Sequence, residues 1–353
     1  MAPPLVLPER YARYYRGRHA LITGASEGVG LEIAKMVAAA GGRVTLVSRT
    51  EAKLRAAEAA CLAARGGGGG GGAAVCVAPA DVTDEAAVRA AAAAGAAALG
   101  DVDLLITCAG AAECGYFHAS DSGAARAMMD LNYMGVVHVV RAVLPAMLRR
   151  NEGHLVAVAS TLSLMGATGY SAYAPSKFAV RGLMEILRNE LQGSNVRVSI
   201  SYPPDMATPG YEREGLTKPP EALEISEDFV YPPDKARAGD YEEGGGAGVA
   251  YSILRGMARG CWVTPNVRGD VDLLQDLTIG LVPRGGLIRF LWHTLRSAFG
   301  PLICWIVAAK FDAVARRHAK TRFAAFWAEG AAAAGGGGAA RGGGGAAQRA
   351  KRS

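Results

Sequence analysis

The sequence lacks paired cysteines. No C-x-x-C spacing occurs, and several of the cysteines lie inside apolar runs. Because a disulfide framework or a structural zinc site needs cysteine or histidine residues at close and regular spacing, this pattern argues against both. We therefore expect a reduced, intracellular protein with no metal site. The six cysteines are Cys61, Cys76, Cys108, Cys114, Cys261 and Cys304.

The sequence also lacks a long uninterrupted apolar run, although 50% of its 353 residues are hydrophobic. A membrane-spanning helix needs about 20 apolar residues. The cleanest run, Ala298–Ala309, has only twelve residues and contains Pro301. At the N-terminus, Pro3, Pro4 and Pro8 interrupt an apolar stretch that is too short for a signal peptide, so we expect none.

Basic residues are concentrated at the C-terminal end. The whole chain carries a formal net charge of +6, whereas the residues from Lys310 onward hold nine Lys or Arg against only Asp312 and Glu329, a net charge of +7. A basic tail beside an apolar segment is typical of proteins that meet an anionic membrane surface. Nucleic acid is the weaker interpretation, because no platform of aromatic residues accompanies the charge.

The apolar segment 271–329 has more than one interpretation. Within it, basic residues recur at helical spacing and large apolar residues fall on the opposite side, as in an amphipathic helix that lies in a membrane interface. A soluble helix docked on the core or on a second subunit is the alternative. A transmembrane hairpin through Leu273–Val282 and Ala298–Ala309 also stays open, although each arm is short for it. The basic residues are Arg289, His293 and Arg296, and the apolar ones are Ile288, Leu291, Trp292, Leu295 and Phe299.

Apolar runs rich in β-branched residues alternate with helix-forming stretches such as Leu31–Ala40 and Phe178–Leu191. Strands separated by helices require crossover connections, which build a parallel sheet. We therefore predict an α/β domain over 18–270, a doubly wound Rossmann-type parallel sheet with helices on both faces, followed by the C-terminal membrane-associated helical segment. The predicted strands are His19–Thr23, Arg43–Ser48, Ala74–Ala78, Asp103–Thr107, His154–Ala159 and Val196–Ser201, with a short additional one at Cys261–Thr264.

An N-terminal extension and two low-complexity glycine runs complete the predicted organisation of the chain. Residues 1–17 form an N-terminal extension, and 330–353 form a basic tail rich in glycine and alanine that we expect to be disordered. The run Gly66–Gly72 falls between the predicted second helix and third strand, where a long loop interrupts neither element.

A glycine-rich turn follows the first predicted strand, and a helix follows the turn. Glycines at such a turn let the backbone pass close to a pyrophosphate, whose charge the helix N-terminus then favours. The spacing is G-x3-G-x-G, and only its position after the first of six strands makes this interpretation stronger than an ordinary tight turn. The expected cofactor contacts are Gly24, Ser26, Glu27, Gly28 and Gly30.

The second strand ends in Ser48 and Arg49, at the corner where an NAD site usually places an acid on the ribose 2′-hydroxyl. A guanidinium there can instead pair with a 2′-phosphate, the alternative being a solvated surface arginine. We therefore expect NADPH or NADP+ as the cofactor. Further expected contacts are Asp81 and Val82 beside the adenine, and Ala109 and Gly110 where the chain passes the cofactor.

Tyr173 and Lys177 lie four residues apart, so on a helix they share one face. A nearby ammonium lowers the pKa of a tyrosine, which can then deliver a proton to a carbonyl oxygen as hydride reaches the carbon. Ser160, at the end of the fifth strand, can polarise the same oxygen. Asn132, in the helix after the fourth strand, can position Lys177 through water and complete a proton relay. A Y-x-x-x-K pair alone is common by chance on an ordinary helix face. Its occurrence together with the glycine turn, Asn132 and Ser160, in this order, favours a catalytic role.

These residues resemble the short-chain dehydrogenase/reductase family over roughly Arg18 to Thr264. One departure is Thr107, where the family usually has an asparagine, so the hydrogen bonding at the end of that strand is expected to differ. Tyr202–Gly210 and Thr217–Pro220 look more specifically like the 3-ketodihydrosphingosine reductases, since most of the wider family has Pro-Gly in place of Pro203-Pro204. The matched catalytic set is Asn132, Ser160, Tyr173 and Lys177.

The resemblance implies NADPH-dependent reduction of 3-ketodihydrosphingosine, a long-chain sphingoid ketone, to dihydrosphingosine. It implies cofactor contacts from Pro203 and Thr208, the latter to the nicotinamide carboxamide, as well as from Tyr173 and Lys177. It also implies a substrate lid at about 205–248, and a place on the endoplasmic reticulum membrane with the active site facing the cytosol. Relatives often form homo-oligomers, on which the sequence is silent.

Other functions stay open at this point. A reductase of another apolar carbonyl, such as a steroid or a retinoid, would carry the same reaction centre. A catalytically idle nucleotide-binding or scaffold protein has no reason to keep Ser160, Tyr173 and Lys177 together. A membrane-tethering module, whose function would depend on the basic C-terminal end, would not need the glycine-rich turn of a cofactor site, which argues against this alternative.

Overall fold

A computed structural model of the protein describes residues 6–66, 73–229 and 245–265, together with separate helical residues between Leu302 and Thr321. Six strands form one parallel sheet in the order β3-β2-β1-β4-β5-β6, which confirms the predicted doubly wound fold. The strands are β1 (His19–Thr23), β2 (Arg43–Ser48), β3 (Val75–Pro79), β4 (Leu104–Thr107), β5 (Gly153–Val158) and β6 (Val196–Ser201).

Helices cover both faces of the sheet. One face packs against α1, α2, α3 and α10, and the other packs against α4, α6 and α7. The described helices are α1 (Glu9–Tyr15), α2 (Gly28–Ala39), α3 (Glu51–Arg65), α4 (Glu85–Leu99), α5 (Ser122–Met128), α6 (Gly135–Arg150), α7 (Tyr173–Glu190), α8 (Pro209–Gly215), α9 (Pro220–Phe229) and α10 (Gly245–Ala258).

The central strands β1 and β4 are buried along their whole length because each side of the sheet is covered. In β1, Leu21 packs into the layer of α4, α6 and α7, while its neighbours Ala20 and Ile22 pack into the layer of α2 and α10. Successive side chains of a strand point to opposite faces, so a strand buried on both faces loses the usual polar alternation. This explains the continuous apolar runs on which the strand predictions depend.

Several predicted boundaries differ from the structure by one to five residues, and one predicted strand does not form. Helix α7 begins at Tyr173 and not at Phe178, since Pro175 lies in its first turn, where the missing N–H costs no helical hydrogen bond. The predicted strand Cys261–Thr264 forms only an isolated bridge, in which Ile200 pairs with Val263.

Some predictions fall largely on residues that the structure does not describe. These are residues 1–5 of the N-terminal extension, the part of the lid between 230 and 244, the amphipathic helix and hairpin within 271–329, and the tail 330–353. Of the described residues near the C-terminus, Val314 is buried, His318 Nε2 lies 3.1 Å from a carboxylate oxygen of Glu224 on α9, and Arg317 pairs with the same glutamate.

Among the described residues, one continuous helical run has the length and apolar composition of a membrane span. It covers Ser122–Arg150, and 39% of its most apolar window is buried inside the protein. Val139, Val140 and Val143 of this run pack against the sheet. A core helix passes the same test of length and composition, so this run is only a weak indication of membrane contact.

Candidate active site

The strand order reverses between β1 and β4, whose last residues, Thr23 and Thr107, lie side by side. Doubly wound sheets bind ligands in the crevice outside the carboxyl ends of the strands at such a reversal. The predicted site residues follow the carboxyl ends of all six strands or lie on the helices that begin there. The topology therefore brings the predicted set to one edge of the sheet.

The glycine turn after β1 has the shape of a phosphate cradle. Gly24 has φ +67°, and a Cβ there would lie 2.8 Å from the backbone N of Ala109, while a Cβ at Gly30 would lie 2.3 Å from the oxygen of Gly24. Gly28 has φ +60°, and a Cβ there would meet nothing closer than Thr208, at 3.8 Å. Two glycines thus pack the turn tightly, while the third borders open space beneath Thr208.

The N-terminus of α2 completes this cradle. Its N-cap residue, Glu27, makes no capping hydrogen bond with its side chain. The first N–H groups of a helix have no partner within the helix and favour an anion. The residues of this turn therefore fit the pyrophosphate of a dinucleotide.

Glu27, a predicted cofactor contact, binds two cations of the protein. Its carboxylate lies 2.9 Å from Lys53 Nζ on α3 and also pairs with Arg213 on α8. Partial burial raises the pKa of Glu27, but the hydrogen bonds from Lys53 and Arg213 outweigh this effect and hold it below its ordinary value. The carboxylate thereby ties α8 to the glycine turn.

The corner beyond β2 and β3 has one exposed cation. Arg49 is exposed, and no carboxylate among the described residues pairs with it. Asp81 accepts hydrogen bonds from the backbone N and the hydroxyl of Thr83, at 2.9 and 2.8 Å, while Val82 is buried and its carbonyl lies 2.9 Å from His138 Nδ1. A guanidinium that faces solvent at this corner is available to a phosphate group.

Lys177 is buried on α7 and donates a hydrogen bond to the carbonyl of Val158, at 3.2 Å. Its Nζ lies 5.8 Å from the centre of the Tyr173 ring, so the two side chains do share one face of the helix. Burial lowers the pKa of Lys177 to about 8. A lysine in this range exchanges protons near neutral pH.

Tyr173 holds its proton more firmly than an exposed tyrosine. Burial raises the pKa of Tyr173, the negative charge of Glu214 raises it further, and a hydrogen bond with Ser160 opposes them. The lowering that the sequence led us to expect from Lys177 does not outweigh these effects. The phenol is therefore present as an O–H donor at neutral pH.

Ser160 lies directly after β5, with only 9% of its surface exposed. Its backbone is extended, and its Oγ accepts a hydrogen bond from the backbone N of Leu162, at 3.1 Å, at the start of a short 3-10 turn. This bond fixes the hydroxyl beside Tyr173, where both groups can meet one carbonyl oxygen.

Asn132 is fully buried in a π-helical turn, Met129–Met134, between α5 and α6. Its Nδ2 donates to the carbonyl of Ala111 and to the hydroxyl of Ser176, both at 3.0 Å, and its Oδ1 accepts from the backbone N of Ala111, at 3.1 Å. A Cβ at Gly110 would lie 2.8 Å from Asn132 Oδ1 and 3.4 Å from Lys177 Nζ. Asn132 thus holds the loop after β4 against α7, and its water-mediated contact with Lys177 stays a prediction.

Thr208 and Pro203 follow β6. Thr208 is the N-cap of α8, where its Oγ1 accepts a hydrogen bond from the backbone N of Tyr211, at 3.2 Å. The carbonyl of Pro203 accepts from the backbone N and the hydroxyl of Thr161, at 3.0 and 2.9 Å. These bonds place the segment after β6 over the glycine turn and beside Ser160.

One network near Tyr173 was not predicted from the sequence. Lys218 is wholly enclosed, and its Nζ lies 3.0 Å from a carboxylate oxygen of Glu214 and 3.5 Å from one of Asp205. The signal in the sequence is the pair of segments that resemble the sphingoid ketone reductases, since Tyr202–Gly210 contains Asp205 and Thr217–Pro220 contains Lys218. The residues of this Lys218 network are Asp205, Glu214, Lys218, Ser226 and Tyr170.

Comparison with known proteins identifies the family of this domain. The family model described as short chain dehydrogenase matches residues 18–218. The chain belongs to the short-chain dehydrogenase family. As a short-chain dehydrogenase it is an oxidoreductase that acts on a carbonyl or alcohol group, with a nicotinamide dinucleotide as cofactor.

Similar proteins extend over most of this short-chain dehydrogenase. The chain is 32% identical to a 3-ketodihydrosphingosine reductase of Bos taurus and 31% identical to a 3-dehydrosphinganine reductase of Danio rerio, each over 319 residues and 90% of both chains. A solved short chain dehydrogenase/reductase from Burkholderia phymatum in complex with NAD is 27% identical, with a TM-score of 0.61 over 77% of this chain and 98% of that one. An actinorhodin polyketide ketoreductase with NADPH is also 27% identical, with a TM-score of 0.61 over 72% of this chain and 97% of that one.

Proposed function

We propose that this protein uses NADPH to reduce 3-ketodihydrosphingosine to dihydrosphingosine, a step of sphingolipid synthesis. The observation that carries the proposal is the likeness to sphingoid ketone reductases of cattle and zebrafish over 90% of both chains, which includes the segment after β6. A domain of the family alone would support only a carbonyl reductase.

Each proposed catalytic residue has a role that its surroundings support. The bound dinucleotide would supply a hydride to the carbonyl carbon. Ser160 would hold the carbonyl oxygen, and the phenol of Tyr173 would donate the proton that this oxygen needs when it becomes a hydroxyl. Lys177, with a pKa of about 8, would return a proton to Tyr173, while Asn132 keeps the loop and helix in register.

NADPH is the proposed form of the cofactor because of the corner beyond β2. Arg49 is exposed there, and Ser48 is only half-buried. A planar guanidinium can form two parallel hydrogen bonds with a 2′-phosphate, which NADH lacks. The proposed cofactor residues are otherwise those of the glycine turn, Asp81, Val82, Ala109, Gly110, Tyr173, Lys177, Pro203 and Thr208.

An apolar groove beside α7 is suited to a long alkyl chain. The groove has a volume of about 770 Å³, and Tyr170, Ala174 and Phe178 form part of its wall. The ring of Tyr170 lies 6.1 Å from that of Tyr173, so the groove begins next to the proposed reaction centre. Each buried methylene contributes about 0.8 kcal/mol, which favours a lipid over a small ketone.

We also propose that the protein works at the endoplasmic reticulum membrane with its active site facing the cytosol. The basic C-terminal end supports attraction to an anionic surface. A lipid substrate that partitions into the bilayer gives a reason for such a location. Deletion of residues 271–353 should move the protein from the membrane fraction to the soluble fraction, and a deletion variant that stays with the membrane would contradict the role of this end.

A second candidate is the reduction of another long-chain carbonyl. A fatty acyl-CoA reductase of Acinetobacter baylyi is 36% identical over 196 residues, 55% of this chain. The apolar groove would suit a fatty acyl chain as well as a sphingoid chain.

A substrate panel separates the candidates. Purified protein is given NADPH and, in turn, 3-ketodihydrosphingosine, a long-chain acyl-CoA, a steroid ketone and retinal, and the consumption of NADPH is followed by absorbance. We expect turnover with 3-ketodihydrosphingosine and a much lower kcat/KM with the others. Preference for any of the others would refute the substrate assignment and leave the reaction type standing.

A further inference from the structure

The Lys218 network lies beside the reaction centre and joins three parts of the chain. The hydroxyl of Tyr170 donates to Glu214 on α8, at 2.8 Å, and its ring lies 6.1 Å from that of Tyr173. Lys218 Nζ donates to the hydroxyl of Ser226 on α9, at 3.0 Å. Tyr170 therefore connects the network to Tyr173, the proposed proton donor.

The charges within this network do not balance. Lys218 contributes one positive charge, while Asp205 and Glu214 contribute two negative charges at 3.5 and 3.0 Å from its Nζ. Buried charges are stable only when they are paired, so an excess carboxylate next to an active site favours a cationic ligand.

The accessible part of the network is its acidic part. The side chain of Lys218 is 0% exposed, whereas those of Glu214 and Asp205 are 15% and 25% exposed. The two acidic side chains are therefore partly open to a ligand, whereas the lysine side chain is not. Burial raises the pKa of Glu214, and the nearby charge of Asp205 raises it further, whereas Lys218 opposes both effects.

3-Ketodihydrosphingosine carries an amino group on the carbon next to its ketone, and this group is cationic when protonated. The ketone oxygen must meet Ser160 and Tyr173, which places the adjacent carbon within a few ångströms of the same centre. Resting on the proposed function, we propose that Glu214, assisted by Asp205, binds the substrate's ammonium and selects α-amino ketones over other long-chain ketones. Lys218 then serves as the fixed counter-ion that keeps the two carboxylates together.

The test compares two ketones that differ only at this group. The first is 3-ketodihydrosphingosine, and the second is its analogue with hydrogen in place of the amino group. We expect the wild type to prefer the first by at least tenfold in kcat/KM. Glu214→Gln should raise KM for the first ketone about tenfold with little change in kcat, and should leave both constants for the second unchanged. Asp205→Asn should act in the same direction.

Glu212→Gln is the matched control, because Glu212 lies on the same helix and is exposed. It should leave the ratio between the two ketones as in the wild type. Equal losses on both ketones in Glu214→Gln would assign the network a purely structural role and overturn the proposal. If a variant does not fold, the wild type alone tests the proposal. Equal kcat/KM for the two ketones in the wild type would also overturn it. Absence of turnover with either ketone would instead refute the proposed function on which the inference rests.

Discussion

The glycine turn offers a prediction that separates cofactor binding from folding. Alanine at Gly28 introduces a methyl group into the space beneath Thr208, where the nearest protein atoms are 3.8 and 3.9 Å away. No atom of the protein must move to admit it. The cost to stability comes from φ +60° alone and is about 1–2 kcal/mol for a residue with a Cβ. The same methyl would stand where the pyrophosphate is proposed to lie.

Gly30→Ala makes a contrasting perturbation of the same turn. Its Cβ would lie 2.3 Å from the oxygen and 2.8 Å from the carbonyl carbon of Gly24, which are both backbone atoms. The turn must shift to relieve this overlap, and overpacking of this kind costs about 1–3 kcal/mol. Gly182→Ala, in the interior of α7, meets nothing within 4 Å and should instead stabilise the protein, by about 0.5–1 kcal/mol.

The assay is urea unfolding for stability and fluorescence titration for the affinity of NADPH. We expect Gly28→Ala to weaken NADPH at least tenfold, although its loss of stability is small. Gly30→Ala should weaken NADPH and lose more stability, and Gly182→Ala should bind NADPH like the wild type. Wild-type affinity in a folded Gly28→Ala variant would refute the placement of the pyrophosphate.

Three further predictions concern charged residues. Arg49→Ala should weaken NADPH far more than NADH, and equal losses in the two titrations would contradict its role at the 2′-phosphate. Lys218→Met leaves Asp205 and Glu214 without their counter-ion and should lower the free energy of unfolding by about 3–5 kcal/mol in urea; a loss below about 1 kcal/mol would contradict the buried pairing. Burial lowers the pKa of Lys177 from 10.5 to about 8, so between these values the unfolded chain binds more protons than the folded protein, and this lysine makes stability rise with pH. Lys177→Met should remove that rise between about pH 8 and about pH 10, and an unchanged slope would show that another group causes it.

The fold was predictable because its signals are local. The run His19–Thr23 is largely apolar and Val196–Ser201 has apolar residues at every second position, and the structure forms β1 and β6 over the same residues. The glycine turn is recognisable from the spacing of its glycines, since no side chain fits at positions 24 and 30. The apolar pattern predicted a helix only from Phe178, whereas α7 begins at Tyr173, with Pro175 in a first turn that tolerates proline.

Most of the polar contacts around the site depend on tertiary packing and leave no local pattern. Asn132 binds Ser176 across 44 residues of sequence, and Tyr170 binds Glu214 across another 44. The sequence singles out Thr217–Pro220 only by resemblance and gives no sign that Lys218 is buried, yet the side chain of Lys218 is completely enclosed between α8 and α9. The opposing influences on the pKa of Tyr173, which include burial and Glu214, likewise arise only in the folded chain.

The most direct test of the central claim is a matched pair of reactions with the wild type and Tyr173→Phe. Each protein is incubated with NADPH and 3-ketodihydrosphingosine, and dihydrosphingosine is quantified by mass spectrometry beside the NADPH consumed. The account predicts one dihydrosphingosine per NADPH in the wild type, and a loss of at least 100-fold in kcat for Tyr173→Phe with NADPH affinity nearly unchanged. Wild-type turnover by Tyr173→Phe, or NADPH consumption without dihydrosphingosine, would contradict it.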